Sequence, residues 1–162
     1  MLAWVAVALI GALLAHAWFA QVPELMLAQS IFLVSCVALL LVMRELPGLL
    51  ALLVVLAALA NGAGGAFDWF EGIVWFDEAV HTYSCFAGLA AIGWLWAFKH
   101  PERRGSLVAF CAGLGLVLGI AWEMVEGVLG DLEFVDTATD LMFDVVGAAL
   151  GGVFARAVLG RR

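Results

Sequence analysis

Trp122 to Gly151 reads WEMVEGVLGDLEFVDTATDLMFDVVGAALG, and the fold turns on how its acids are placed. Glu123, Glu126, Asp131, Glu133, Asp136, Asp140 and Asp144 fall within it, seven of the chain's 14 acidic residues. Both flanks are apolar enough to cross a bilayer. A carboxylate partly inside a membrane is costly, which makes it a functional-site candidate. The plainer reading is a wet loop with two frayed helix ends. Helical spacing argues against that for four of the acids. Gly115, Gly119, Glu123 and Glu126 follow at i+4, i+4 and i+3 on the helix entering the loop. Asp140, Asp144, Gly147 and Gly151 follow at i+4, i+3 and i+4 on the helix leaving it. Each set is one helix face. Small residues on a face let membrane helices approach closely, so two such faces that meet would gather four carboxylates at one end. Gly119 and Gly147 are expected to be packing positions, with Gly152 off the stripe.

The rest of the chain supports a membrane setting. Of 162 residues, 66% are hydrophobic and 13% charged, with mean hydropathy +1.12. A soluble domain of this length needs a far more polar surface. Six apolar runs approach bilayer-spanning length, at about residues 2–20, 24–43, 47–66, 77–98, 106–128 and 137–159. The expectation is an all-α polytopic membrane protein, residues 1–162 forming one bundle of six transmembrane helices. The third run loosens near Asn61-Gly62-Ala63-Gly64-Gly65. The first lacks a basic n-region and is longer than a usual signal-peptide core, so it reads as a retained helix. Cys36, Cys85 and Cys111 are scattered without metal-ligand spacing and read as small packing residues.

Charge sets the orientation. Arg44, Lys99, Arg103, Arg104, Arg156, Arg161 and Arg162 all lie beside the exits of even-numbered spans. Those exits share one side, which the positive-inside rule assigns to the cytoplasm, with both termini there. Of the acids, only Glu45 and Glu102 fall on that side; Glu24, Asp68, Glu71, Asp77, Glu78 and the seven of the central stretch collect at the other. The net charge of −7 is therefore strongly one-sided. The expected location is a bacterial cytoplasmic (inner) membrane, with the lipid bilayer as partner and no nucleic acid. Between the third and fourth spans, FDWFEGIVWF (residues 67–76) reads as an outer interfacial anchor, because Trp rings favour the headgroup level.

The fourth span repeats the pattern of the last two, with Asp77, His81, Ser84 and Gly88 at i+4, i+3 and i+4. Asp77, His81, Glu123, Glu126, Asp140 and Asp144 then stand at one level near the outer surface. Imidazole with carboxylates suits zinc or manganese, and carboxylates with water suit magnesium or calcium. A divalent metal held by Asp77, His81, Glu123, Asp140 and Asp144 is one reading. An acid-lined proton or cation path and solvated helix ends are the others. No organic cofactor is indicated. His16, Gln29 and Asn61 are isolated polar residues that read as hydrogen-bonded packing groups, though His16 lies at the right depth to join the cluster. Asp136 or Thr137 reads as the N-cap of the last helix.

These motifs resemble those of known families. Asp77-x-x-x-His81 with Gly88, then GIAWEMVE (residues 119–126) and DTATDLMFDVVGAALG (residues 136–151), are similar to successive blocks of VanZ-like membrane proteins. They are similar also to bacterial membrane proteins of the YjdF type, which share W-E-x-x-E and D-T-x-x-D-L. The resemblance covers about residues 76–152. Glu78, Glu126 and Asp144 stand where VanZ-like proteins have Lys, Gln and Asn, so this cluster is the more acidic. The resemblance implies a role at the cell envelope. One such role is a metal-dependent hydrolase or transferase on a lipid-linked envelope substrate, with His81 and Glu126 catalytic and Glu126 as general base. A small cation or proton transporter, and a structural envelope protein without catalysis, are the alternatives.

Overall fold

A computed structural model describes the backbone of residues 1–129 and 134–160; the side chains of residues 126, 128, 129 and 134–136 lie outside the description. The described residues form helices α1 (Leu2–Ala20), α2 (Pro23–Val42), α3 (Gly48–Ala66), α4 (Trp69–Gly72), α5 (Phe76–Lys99), α6 (Leu107–Leu129) and α7 (Phe134–Leu159), and contain no strand. A 3-10 turn, Pro101–Ser106, precedes α6. The six long helices match the six apolar runs within a few residues. Pro23 stands at the start of α2 and Pro47 just before α3, where the missing N–H costs nothing. Five helices among the described residues are long and apolar enough to cross a membrane: those at Leu2–Ala20, Pro23–Val42, Gly48–Ala66, Pro101–Val125 and Thr137–Leu159. Their outward faces carry exposed Leu, Val, Trp, Phe and Met, including Phe19, Val42, Val117, Met124 and Met142. Apolar side chains spread over whole helix faces are matched by lipid rather than water.

By contacts the chain divides into two units, Met1–Val80 and His81–Arg162. In the first, α1 packs on α2 and α3, and α2 on α3. Its core holds Ala6, Val7, Ile10, Cys36 and Val55. Gln29 is buried in this apolar setting, and its Nε2 donates to the Gly62 carbonyl at 2.8 Å. The Asn61 Nδ2 donates to the Ala57 carbonyl at 2.9 Å. The glycine-rich end of α3 does not loosen as the sequence suggests; it stays helical to Ala66. Gly62 leaves room for the Gln29 amide, and Gly64 for the rings of Phe70 and Phe76, so neighbouring side chains fill the space that the glycines open. The following segment contains the short α4, and its rings form a cluster, with Phe70 and Phe76 centroids 5.1 Å apart and Trp69 and Phe76 5.5 Å apart. Val74 and Trp75 beside it are exposed. His16 lies against Phe67, ring centroids 6.0 Å apart.

In the second unit α7 packs on α5 along one face and on α6 along another. A side chain at Gly147 would strike the Thr82 carbonyl oxygen, and one at Gly151 would meet backbone of Phe86 and Ala90. Both partners lie on α5. The α6 contact runs antiparallel: Gly152 meets Cys111, Gly115 meets Ala148, and Gly119 meets the Asp144 carboxylate. Gly119 and Gly147 are thus close-approach positions, but against different helices. Two glycine expectations fail. Gly152 is also tightly enclosed, since a Cβ there would lie 3.0 Å from the Val108 Cα. Gly88 has open space where a Cβ would be, and the close position on α5 is Gly93, facing Cys111 and Leu107. The capping expectation fails as well. α7 begins at Phe134, so Asp136 and Thr137 stand inside the helix rather than before it.

These contacts separate two kinds of glycine. Gly147→Ala forces a Cβ against an α5 carbonyl that has no room to move, at an expected cost of about 1–3 kcal/mol. Gly88→Ala should be neutral or stabilise by up to ~1 kcal/mol, the usual helix preference for Ala. Thermal unfolding of the two variants in detergent checks this; equal melting temperatures would contradict the packing described.

Candidate functional site

The polar end of the second unit is built where the three helices approach most closely. Gly119 on α6 has no side chain, and the Oδ2 side of the Asp144 carboxylate from α7 occupies the space a Cβ would fill. The other oxygen, Oδ1, lies 3.2 Å from His81 Nδ1 and 3.1 Å from Cys85 Sγ. His81 and Cys85 are one turn apart on α5 and reach the same oxygen because i and i+4 share a face. The Cys85 thiol donates to this oxygen, and the tautomer of His81 with its proton on Nδ1 would donate to it as well. Asp144 is 3% exposed, and His81 and Cys85 of α5 keep it hydrogen-bonded within an apolar bundle.

Asp140 lies one turn before Asp144 on α7 and is also 3% exposed. Asp77 stands one turn before His81 on the same unbroken α5. Asp77, His81 and Asp140 each offer a ligand atom, and these atoms lie within 4.8 Å of one another. One imidazole and two carboxylates at that separation can surround a single divalent cation. Glu123, on the α6 face that carries Gly115 and Gly119, is 6% exposed. Its Oε1 is buried and has no hydrogen-bond partner among the described residues.

Of the residues singled out in the sequence, Asp77, His81 and Asp140 come together as a group. Asp144 is the hydrogen-bond partner of His81, and Glu123 is buried on α6. The side chain of Glu126 lies outside the described residues, as do Asp131, Glu133 and Asp136. The part played by Cys85 was not read from the sequence. Its position at i+4 from His81 was the available signal, and its small apolar character hid it. On the apolar side of Cys85 the unit is filled by Leu89, Ala90, Trp94, Leu107, Cys111, Ala148 and Ala155, all buried.

Five described helices of membrane-spanning length and hydropathy, with large apolar side chains exposed along their faces, define an integral membrane protein. The chain belongs to the family described as "Predicted membrane protein (DUF2238)", which matches residues 1–161. No curated protein and no solved structure matches it.

Proposed function

We propose that the protein binds a divalent cation at the outer face of a bacterial cytoplasmic membrane, through Asp77, His81 and Asp140, and acts there in cell-envelope chemistry. The observation that carries the reading is the convergence of three ligand atoms within 4.8 Å at the polar end of α5 and α7. Asp144 supports it. A ligating histidine commonly gives its other ring N–H to a carboxylate, which fixes the tautomer and the ring orientation. With Nδ1–H directed at Asp144, Nε2 is the nitrogen for the cation. Zn2+ and Mn2+ both suit one imidazole with carboxylates. Coordination positions left over would polarise a water or a phosphoryl oxygen of a lipid-linked substrate, with Glu126 as the candidate base. The resemblance to VanZ-like and YjdF-type proteins favours an envelope role. The apolar filling from Leu89 to Ala155 favours a resident cation over a conducted one, since the described residues of that unit offer no polar continuation.

The topology belongs to the same proposal: one domain of six spans, with both termini in the cytoplasm. α5 is 24 residues long, about 36 Å at ~1.5 Å per residue, enough to cross a hydrocarbon core of about 30 Å. Its hydropathy is lowered by Asp77, Glu78, His81, Thr82 and Ser84 in its first half, the same residues that build the site. Reporter fusions after Arg162 and within residues 67–76 are expected to give cytoplasmic and external signals respectively. An external signal at the carboxyl end would reverse the site's orientation.

Zn2+ or Mn2+ should raise the melting temperature of the chelator-treated protein by mass action, about 2.7 kcal/mol at a hundredfold excess over Kd. His81→Ala and Asp140→Asn should lose most of that rise, while Glu71→Gln keeps it. Acidification should reduce the shift, because the ligands must be deprotonated to bind. A melting temperature indifferent to chelator and to both cations would sink the proposal.

A further inference from the structure

Glu123 and Glu78 at this end each carry a buried carboxylate oxygen that lacks a hydrogen-bond partner among the described residues, and of the two Glu123 is the residue buried as a whole, at 6% exposure. A carboxylate in that position costs several kcal/mol unless something of opposite charge or a donor meets it. The α6–α7 register says what it faces. Cys111 meets Gly152, Gly115 meets Ala148, and Gly119 meets Asp144. Each step moves four residues up α6 and four down α7. Continued one step, this register sets Glu123 opposite Asp140, a member of the three-residue group on α5 and α7, although Glu123 itself lies outside the 4.8 Å set of that group. Two buried carboxylates facing each other across a helix contact repel when both are ionised, and a cation between them removes that repulsion.

We infer that Glu123 is the ligand through which α6 joins the cation site. The centre then has one imidazole and three carboxylates, contributed by three helices, a donor set suited to Mn2+ or Zn2+. The inference rests on the cation reading given above and adds to it a mechanical consequence. Among the described residues, the contacts of the polar end of α6 with α7 run through its glycine face. With the cation bound, Glu123 is tied to the group that Asp140 and His81 supply. Cation binding therefore fastens the end of α6, next to the segment that leads into α7.

The test uses the full-length protein in detergent, titrated with Mn2+ alone and followed by the paramagnetic resonance signal of the free ion. Wild type is expected to bind one Mn2+. Glu123→Gln, which keeps the size and removes the charge, should bind at least about tenfold more weakly. Its bound Mn2+ should also carry one more water ligand, counted by electron spin echo in labelled water. A purely structural role for Glu123 would not add that water. Glu123→Asp, which keeps the carboxylate on a shorter arm, should recover part of the affinity. Amide exchange across residues 119–125 should slow on Mn2+ addition in wild type and stay unchanged in Glu123→Gln. Two failures are distinct. If Glu123→Gln binds as wild type does, with the same water count, while His81→Ala loses binding, Glu123 is no ligand and the cation reading stands. If wild type binds neither Mn2+ nor Zn2+, the cation reading itself falls and this inference with it.

Discussion

Asp144 carries a carboxylate at 3% exposure inside a bundle of apolar helices, and the arrangement around it follows from that constraint. A charged group so placed needs a partner for each oxygen or room in which the mismatch is small. Oδ1 has both His81 and Cys85, from α5. Oδ2 lies against Gly119 on α6, where any other residue would displace it. The glycine faces on α6 and α7 are thus more than a means of close helix packing. They set the depth at which the carboxylate stands and bring α5 near enough to satisfy it. Gly147 against the Thr82 carbonyl fixes the same depth from the other side, one residue from His81. Loss of any one of these contacts would leave a buried charge with fewer partners, which costs more than the contact itself contributes.

Much of this was legible in the sequence, because a period of about 3.6 residues marks which residues share a helix face. The face from Asp140 to Gly151 and the face from Gly115 to Glu123 are both real packing faces. What the period does not carry is the identity of the neighbour. The two stripes meet in part: the α6 stripe meets Asp144 of the α7 stripe and the neighbouring Ala148, while Gly147 and Gly151 of that stripe meet α5. Gly88 shares a face with His81 yet adjoins open space, whereas Gly93 is enclosed because α6 and α7 both reach it. Gly152 lay off the stripe that was read and is enclosed by α6 all the same. The glycines near the end of α3 show a different limit. Gly62 and Gly64 look like helix breakers by propensity, and tertiary packing overrides that by filling their sites with Gln29, Phe70 and Phe76. Cys85 was missed because a thiol among apolar residues looks like packing until its acceptor is known.

The chemistry concentrates in one half of the chain. The first unit has an apolar core with a single buried amide, Gln29, satisfied on one side by Gly62. Its aromatic segment, residues 67–76, gathers Trp69, Phe70 and Phe76 into a ring cluster. The second unit places carboxylates, an imidazole and a thiol at one end and fills the other with Leu89, Trp94 and Leu107. The resemblance read from the sequence covers this same half, although the family to which the chain belongs matches both. Five helices have membrane-spanning length and hydropathy. The helix α5 falls short in hydropathy because its first half carries Asp77, Glu78, His81, Thr82 and Ser84.

X-ray absorption at the zinc edge, on protein loaded with one equivalent of Zn2+, tests the central claim most directly. The account predicts a shell of nitrogen and oxygen at about 2.0–2.2 Å, with the outer-shell signature of one imidazole and no sulfur. The Cys85 thiol belongs to Asp144 and stays out of the coordination sphere. A sulfur shell at about 2.3 Å would put Cys85 on the metal in place of a carboxylate. A zinc spectrum of the hydrated ion, with no imidazole at all, would contradict the site outright.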